Sequence, residues 1–400
     1  MNTPPPDAAG ADPLQAALAH AGAMVDRCYD YAEAARAAGR RIVGIMCEFT
    51  PREIILAANA VPVCLCGGSA ATIPAAEQVL PANLCPLIKS TFGYHLTRQN
   101  PFLNWADLVV AETTCDGKKK MFELMAETRP LYVLELPQKA GDRDALAHWT
   151  AEVRKFKAFL ESRWDVRIRD DELRQAIRLM NRERRLRREL AGLMALDPPP
   201  MTGRQLIEFK SLISGLEPDL QQYETVRQAL TPDALEPRDR PTSPAANGRV
   251  RVLLTGVPLV HGAERVLELI ENAGAVVVAM ENCTGLKPIL DEVDEHDPDP
   301  LAAIARKYYH LPCSVMTPNP GRFRVLRELV EQFRPHCVIE LVWQACLTYD
   351  LESCQVRRLV EEELRLPYLK VTTDYAPADS ARLTARLEAL FETVRARRAE

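Results

Sequence analysis

The chain has 400 residues, of which 47% are hydrophobic and 26% are charged; this composition is typical of a globular protein with two or three domains. Its net charge of -5 excludes a generally basic protein that coats nucleic acid. The first fifteen residues lack the basic start and the apolar stretch of a signal peptide. No uncharged apolar run reaches the ~18 residues that a membrane-spanning helix needs. We therefore expect a cytoplasmic protein with neither a membrane nor a nucleic-acid partner.

The eleven cysteines are the first feature that points to chemistry. They are too sparse for a disulfide scaffold, which shows more than about 8% cysteine in a short chain, and their odd number argues against complete pairing. In a reducing compartment, thiols kept in such numbers serve as metal ligands, as catalytic groups or as small buried apolar residues.

The first part of the chain predicts an α/β domain. Residues 1–40 are a Pro/Ala-rich leader followed by a short helix, and residues 41–144 alternate short apolar runs with helical stretches. The predicted strands are 41–46, 61–66, 107–111 and 131–136. Thr50 and Glu53 form a capping-box pattern with Pro51 between them, which predicts a helix from Pro51 and places Cys47 just beyond a strand.

The rest of the chain predicts helices and then a second domain of the same class. Residues 145–230 carry long helical patterns, and residues 231–248 hold four prolines and form a predicted linker. In residues 249–400, strands at 249–255, 275–280, 337–342 and 368–372 alternate with helices. The fold class is therefore α/β, with two doubly wound, Rossmann-like or flavodoxin-like parallel-sheet domains and an intervening helical segment. We expect a cleft between the carboxyl edges of the two sheets, where such folds bind ligands.

Six cysteines fall at predicted strand ends, turns or helix starts: Cys66, Cys85, Cys115, Cys283, Cys313 and Cys346. By contrast, Cys28, Cys337 and Cys354 lie inside predicted elements, where a packing role is expected. Cys115 precedes a predicted helix that carries Lys118, and both a helix N-terminus and a nearby cation favour the thiolate that binds metal.

The spacing of the cysteines leaves more than one interpretation open. Structural zinc sites use close pairs, and the one close pair, Cys64 and Cys66, has no matching pair elsewhere in the sequence. Two interpretations of the cysteines remain possible. They are ligands from several loops of a preformed fold that hold an iron–sulfur cluster or another metal, or they are inert thiols. The sequence has no GxGxxG or Walker A loop, so any ATP that drives the chemistry must be bound by a partner.

With these cysteine neighbourhoods in view, the chain resembles the 2-hydroxyacyl-CoA dehydratase D-component family, a superfamily that includes benzoyl-CoA reductase subunits. It is most similar to the family's double-cubane cluster proteins. The resemblance covers about residues 41–395 and is carried by CEFTPRE (47–53), LCGGS (65–69), residues 73–90, ETTCDGKKKM (112–121), ELPQ (135–138), ENCTG (281–285), PCSVMTPNP (312–320), WQAC (343–346) and TDY (373–375).

The resemblance implies a cofactor, partners and a reaction. Double-cubane members hold two sulfide-bridged cubanes, an 8Fe-9S group, through six cysteines, and six matching positions are present here: Cys66, Cys85, Cys115, Cys283, Cys313 and Cys346. It further implies a homodimer that receives electrons from a separate ATP-hydrolysing iron–sulfur activator reductase and that reduces a small molecule. Cys47 also matches a family cysteine and is the first substitute if one of the six is not a ligand. Cys64 lies two residues before Cys66, and either of these two cysteines could chemically serve as the ligand.

Two alternative functions follow from the same resemblance. The first is a lyase that dehydrates a 2-hydroxyacyl-CoA, or a benzoyl-CoA reductase-type subunit, with a single 4Fe-4S cluster; Cys283 and Cys313 would then be dispensable. The second is a non-enzymatic iron–sulfur electron carrier, which would have reducible clusters and no substrate turnover.

Overall fold

Two parallel β-sheets form the framework of the protein. The computed structural model describes residues 13–230 and 248–399, so most of the predicted leader and of the predicted linker lies outside the described residues. The first sheet has the strand order β2-β1-β3-β4 and the second the equivalent order β6-β5-β7-β8, with every pairing parallel. The α/β class and the two parallel-sheet domains are therefore as the sequence predicts.

The strands are short and apolar, and most are buried on both faces by helices, as parallel sheets require. Strands β5, β6 and β7 are buried along their whole length. The bounds are β1 Ile42–Ile45, β2 Val61–Cys64, β3 Leu108–Glu112, β4 Leu131–Leu134, β5 Val250–Gly256, β6 Ala275–Glu281, β7 Cys337–Trp343 and β8 Tyr368–Thr373.

Helices pack against both sheets. In the described residues they are α1 Pro13–Gly22, α2 Met24–Ala37, α3 Arg52–Ala57, α4 Ile73–Ala76, α5 Pro86–Thr97, α6 Pro101–Trp105, α7 Asp116–Ala126, α8 Ala145–Trp164, α9 Asp170–Gly192, α10 Gly203–Ile207, α11 Glu217–Leu230, α12 Arg265–Asn272, α13 Pro300–Tyr309, α14 Pro320–Phe333, α15 Leu347–Arg358 and α16 Ser380–Ala399.

All eight predicted strands are present, and the differences concern helices. The sequence predicts one long helical stretch over about 145–196, which the structure divides into α8 and α9, because Asp165 adopts a left-handed conformation (φ 52°) that ends α8. It predicts a helix from about residue 355, whereas α15 begins eight residues earlier, at Leu347. The leader helix is two helices, α1 and α2.

The predicted capping box at α3 is wrong. No side chain caps this helix, which begins at Arg52 after Pro51. The Thr50 hydroxyl donates a hydrogen bond to buried Glu112 instead, and Glu53 accepts from Arg184 at 2.5 Å. Tertiary partners that neutralise a buried carboxylate therefore replace the local capping bonds.

A buried ion network lies beside the carboxyl end of β6. The Arg322 side chain is fully buried and binds Glu281 and Glu340, each at 3.1 Å, and Glu352 at 2.5 Å. Lys287 binds the other oxygen of Glu281 at 2.9 Å. This network fixes the end of β6, from which the chain continues into Cys283.

The two domains meet through backbone contacts as well as side chains. A Cβ atom on Gly68 would lie 2.2 Å from the carbonyl oxygen of His261, so only glycine permits this approach. The Tyr375 hydroxyl, which follows β8, donates to the carbonyl of Gly67 at 3.1 Å. The carboxyl edges of the two sheets therefore face each other at close range.

The first prediction concerns Arg322. The change Arg322→Met leaves three buried carboxylates without their shared cation, so we expect the free energy of unfolding to fall by about 3–5 kcal/mol. The exposed Arg324, which pairs with Glu328 on the same helix, gives the matched control: Arg324→Met should change stability by less than about 0.5 kcal/mol. Urea unfolding followed by circular dichroism measures both, and equal losses in the two variants would contradict the prediction.

Candidate functional site: cysteines between two sheet edges

Five of the eleven cysteines follow the carboxyl ends of strands, and these ends meet between the two domains. Cys47 follows β1, Cys66 follows β2 and Cys115 follows β3, while Cys283 follows β6 and Cys346 follows β7. Cys85 and Cys313 join them from the residue before α5 and from the turn after α13. Because parallel strands of one sheet end at the same edge, residues far apart in the sequence are brought to one place.

One group of neighbouring thiols consists of Cys85, Cys115 and Cys346. Each is the residue that precedes a helix, α5, α7 or α15, so each lies at a helix N-terminus. A hydrogen bond from the Cys346 thiol lowers the pKa of Cys85, and the first backbone N–H groups of α5 lower it further against the effect of burial. Burial raises the pKa of Cys115, with smaller contributions from nearby Cys346 and Cys313, while Lys118 lowers it.

The second group consists of Cys47, Cys283 and Cys313. Burial raises the pKa of Cys47 well above its ordinary value, and nearby Cys283 and Cys313 raise it further while Lys118 lowers it. Burial also raises the pKa of Cys283, to about 12, with Cys313 adding to the shift and Lys287 opposing it. This group therefore draws one thiol from the first domain and two from the second.

Cys66 shares neighbouring residues with both groups. Its thiol donates to the Met46 carbonyl at 3.2 Å, and burial raises its pKa while Lys118 lowers it. The buried Tyr375 interacts with Cys66 as well as with Cys85 and Cys346. Cys64, the last residue of β2, lies 3.9 Å from the guanidinium of Arg52 and lines the same cavity as Cys66.

Lys118 is the central cation of the site. The sequence places Lys118 near Cys115, and in the structure its ammonium points inward and donates to the Met46 carbonyl at 2.7 Å. Burial disfavours its charge, yet Cys47, Cys66 and Glu112 raise its pKa above the ordinary value. A positive charge beside several thiols favours their deprotonated, metal-binding form.

A second cation of the site, Lys210, comes from the helical segment, in which the sequence predicts no site residue. Lys210, between α10 and α11, binds Glu48 at 2.6 Å and also donates to the carbonyl of Cys283. Arg52 binds the other oxygen of Glu48 at 2.7 Å, and these two cations hold the pKa of Glu48 well below its usual range despite burial. No sequence motif marks Lys210, because its role depends on a contact across the fold.

A cavity of about 180 Å³ opens onto these groups. Apolar side chains such as Met24, Leu259 and Val260 form part of its wall. Its polar lining joins both domains and the helical segment: Cys47, Cys66, Cys283, Glu48, Lys118, Lys210 and His261. The volume is about six times the roughly 30 Å³ that one water occupies in the liquid, so the cavity accommodates a molecule of a few heavy atoms.

The donor set was compared with what an iron–sulfur group needs. In the described part of the chain, no three histidine, cysteine, aspartate or glutamate side chains converge as ligands of a single metal ion. A cluster, however, places its cysteine ligands on different iron atoms, so its thiolates are more widely spaced. The buried amide Nδ2 of Asn282, next to Cys283, has no hydrogen-bond partner among the described residues, and sulfur is an acceptor that such a donor can serve. The set of thiols, cations and this free donor fits an iron–sulfur group.

The remaining cysteines show how far the sequence reasoning held. Cys28 and Cys337 are fully buried in the apolar core, which confirms their predicted packing role. The same prediction for Cys354 is wrong, since this residue is exposed. The sequence correctly placed Cys354 in a helix. Which side of that helix faces solvent depends on how the helix packs, and the sequence does not show it.

Comparison with known proteins identifies the family. A sequence model described as 2-hydroxyglutaryl-CoA dehydratase, D-component, matches residues 47–394, and the chain belongs to this family. It is 39% identical over 357 residues to a protein of Escherichia coli (strain K12) that carries the provisional name dehydratase subunit YjiM, covering 88% of this chain and 91% of that one.

More distant relatives have names that state an activity. The chain is 23% identical to the beta subunit of lactoyl-CoA dehydratase from Anaerotignum propionicum, over 88% of this chain and 92% of the relative. It is 26% identical to one of the subunits of benzoyl-CoA reductase from Thauera aromatica, over 40% of this chain and 42% of the relative. These relatives support an enzyme of the dehydratase and reductase type.

The length and polarity of the helices also bear on the membrane expectation. Within residues 13–230 and 248–399, no helix combines the length and the apolar character required to cross a membrane.

The second prediction concerns Lys118 in the metal-free, reduced protein. Removing the ammonium in Lys118→Met raises the pKa of the neighbouring thiols, so we expect Cys47 and Cys66 to be alkylated by iodoacetamide several-fold more slowly at pH 8. Peptide mass spectrometry measures the rate at each cysteine. The exposed Lys119, which pairs with Asp116 at 2.8 Å, provides the control Lys119→Met, and an equal slowing in both variants would show that Lys118 has no specific effect.

Proposed function

We propose that this protein is an iron–sulfur reductase of the double-cubane type, which transfers low-potential electrons to a small substrate after activation by an ATP-hydrolysing iron–sulfur reductase. The observation that carries the proposal is the presence of two neighbouring groups of thiols between the sheet edges. A single cluster held by three cysteines accounts for Cys85, Cys115 and Cys346 and leaves the second group without a purpose.

The proposed ligands are the six that the sequence indicates: Cys66, Cys85, Cys115, Cys283, Cys313 and Cys346. One cubane would be held by Cys85, Cys115 and Cys346, whose thiols interact with one another. The other would be held by Cys283 and Cys313 with a third ligand, for which Cys66 and Cys47 compete. Cys47 interacts with both Cys283 and Cys313, and Cys66 lines the same cavity.

When bound, the group would supply one-electron transfer at low potential. The protein's own residues do the rest of the work. Lys118 holds a positive charge beside Cys47 and Cys66, which stabilises added negative charge there. Lys210 ties Glu48 of the first domain to the carbonyl of Cys283 in the second, so it keeps the two halves of the site together.

The substrate would bind in the cavity beside Cys66 and Cys283. Its volume of about 180 Å³ suits a molecule such as acetylene, azide or hydrazine, and its partly apolar wall excludes much of the surrounding water. The ammonium groups of Lys118 and Lys210 are already engaged by a carbonyl and by Glu48. A substrate of a few heavy atoms therefore fits the space beside these thiols.

The main alternative is a 2-hydroxyacyl-CoA dehydratase, or a benzoyl-CoA reductase-type subunit, with one 4Fe-4S cluster. The names of the relatives favour it, and the group formed by Cys85, Cys115 and Cys346 would suffice for it. A homodimer belongs to the main proposal, whereas the alternative implies a different partner subunit. A non-enzymatic electron carrier is the second alternative, and the cavity beside the thiols argues against it.

The third prediction is the metal content. Anaerobically purified protein should contain about eight irons per chain, and serine variants of Cys283 or Cys313 should retain about four, because only one cubane loses a ligand. Serine variants of Cys47 and Cys66 identify the third ligand, since only one of them should lose the same amount. Cys354→Ser, at an exposed cysteine that belongs to neither group, is the matched control and should keep the full content. About four irons in the unaltered chain would favour the single-cluster alternative, and zinc or no metal would refute both.

The fourth prediction is the substrate class. With the ATP-hydrolysing activator present, the protein should reduce acetylene, measured as ethylene by gas chromatography. Enlarging a cavity-wall side chain, Val260→Phe, should lower turnover while leaving iron content unchanged, because it fills the space that the substrate needs. Dehydration of a 2-hydroxyacyl-CoA without acetylene reduction would establish the lyase, and reducible clusters with no turnover would establish the electron carrier.

A further inference from the structure

His261 lies at the edge of the cavity beside the thiols, on the loop between β5 and α12. Its side chain is 51% exposed, so this residue borders both the solvent and the space proposed for the substrate. Among the described residues that line the cavity, it is the only histidine. Neither the proposed ligand set nor the charge network around Glu48 involves it.

The proposed reaction needs protons as well as electrons. Reduction of acetylene to ethylene consumes two electrons and two protons, and only the electrons come from iron–sulfur chemistry. The protons must come from a group at the cavity that holds a proton near neutral pH and that can regain one from the solvent.

The buried cations and the buried carboxylate of the cavity are engaged by one another or by the backbone. Lys118 donates to the Met46 carbonyl, and its pKa is raised above the ordinary value by the neighbouring thiols and by a nearby carboxylate, so it keeps its proton. Glu48 is bound between Arg52 and Lys210, and its pKa lies well below the usual range, so it carries no proton to give. These groups hold charge in the site and do not supply protons.

The remaining titratable groups of the lining also have other partners. Arg204 on α10 binds Glu208, the residue after this helix, at 2.9 Å and also lies 3.4 Å from Glu268 on α12. The thiols that line the cavity are candidate metal ligands, and a thiol that binds metal has already lost its proton. Within the described lining, His261 is therefore the acid that remains.

Glu264 orients the ring of His261. The Nδ1 atom lies 3.4 Å from the Oε1 atom of Glu264, and the other carboxylate oxygen accepts from the backbone N–H of Gly262 at 2.9 Å. Burial raises the pKa of Glu264, but its hydrogen bonds with His261 and with backbone N–H groups outweigh this effect and lower it. An ionised carboxylate at Nδ1 fixes the hydrogen on that nitrogen, and Nε2 is then the atom that gains and loses a proton.

The backbone of the loop is fixed by both domains. The carbonyl of His261 is so close to Gly68 of the first domain that no Cβ atom fits there. The hydroxyl of Thr284 donates to the carbonyl of Leu259 at 2.8 Å. These contacts hold the loop through its backbone and leave the His261 side chain free to act on a bound molecule.

We propose that His261 is the general acid of the reduction and delivers protons from the solvent to the substrate in the cavity. The inference rests on the proposed function. For acetylene, two electrons come from the low-potential iron–sulfur reductant. Each of the two protons passes from Nε2 of His261 to a substrate carbon, so that one N–H bond breaks as one C–H bond forms. Between the two transfers, the neutral ring takes a proton from hydronium or from a buffer acid at its exposed side.

The first experiment tests whether the ring faces the substrate. The holoprotein without activator, which does not turn over, is treated anaerobically with diethyl pyrocarbonate in buffer saturated with acetylene or with argon. Peptide mass spectrometry follows the modification of each histidine. Acetylene should slow the modification of His261 several-fold relative to that of His148, because bound substrate covers Nε2.

His148 is a matched reference in the same sample. It also pairs with a glutamate, Glu135, at 3.6 Å, and its side chain is 42% exposed. It lies on α8 and does not line the cavity. If acetylene leaves the ratio of the two modification rates unchanged, the ring does not face the substrate and the proposal is wrong.

The second experiment removes the acid. His261→Gln should lower acetylene turnover by about 100-fold or more, which is within the range that a general acid contributes. The control His148→Gln should keep full turnover. Iron content and reduction by titanium(III) citrate should be the same in both variants and in the unaltered protein, because neither requires a proton donor in the cavity. Full turnover in His261→Gln would refute the proposal.

The pH dependence distinguishes an acid from a residue that only shapes the cavity. The ratio of turnover in the unaltered protein to turnover in His261→Gln should be largest near about pH 6 and should fall toward about pH 9, because imidazole must be protonated to donate. The ratio cancels the pH dependence of the activator. It also cancels that of the charged groups named above, which face His261 across the cavity and from α10 and α12 and are the same in both proteins. A ratio that does not vary with pH would mean that His261 acts only through its shape.

The results also separate this inference from the proposed function. If the unaltered protein contains no iron or does not reduce acetylene, the proposed function fails and the inference fails with it. If the unaltered protein contains iron and reduces acetylene, and His261→Gln does both equally well, the proposed function stands and the role of His261 as proton donor is wrong.

Discussion

The structure depends on one geometric constraint, which is that two parallel sheets turn their carboxyl edges toward each other so that the loops beyond these edges are in van der Waals contact. Parallel strands all end on one side, so each sheet delivers its loop residues to a single edge. Gly68 allows this approach, because any side chain there would collide with the His261 carbonyl. The thiols of both domains can therefore surround one site, although no short segment of the chain contains more than two of them.

Buried charges hold this arrangement in place. Arg322 binds three carboxylates beside the chain that leads to Cys283, and Arg184 binds Glu53 near the start of α3. Such networks fix the geometry because an unpaired buried charge is strongly unfavourable. Lys118 and Lys210 face the site itself. Their positive charges lower the pKa of the Cys66 thiol and so oppose the effect of burial, which raises it.

The same geometry places a cavity next to the thiols. The cavity beside Cys66 and Cys283 opens between the domains, and in the proposed function it binds a small substrate. The interaction of Cys115 with Cys313 links the two groups of thiols. An electron held by either group would therefore remain close to the thiols of the other.

The sequence by itself determined the eight strands, the two-domain α/β class and the set of cysteines worth considering. Apolar runs of strand length and cysteines placed just after them are local features, and local features are visible in a single sequence. Local reasoning from the sequence failed at two places: Thr50 binds Glu112 in place of capping α3, and Cys354 faces solvent. Only the tertiary structure decided which thiols are neighbours, that Lys210 joins the site, and that Leu347 is exposed. These facts depend on how distant segments pack, because burial and electrostatic interaction are set by atoms that are close in space and far apart along the chain.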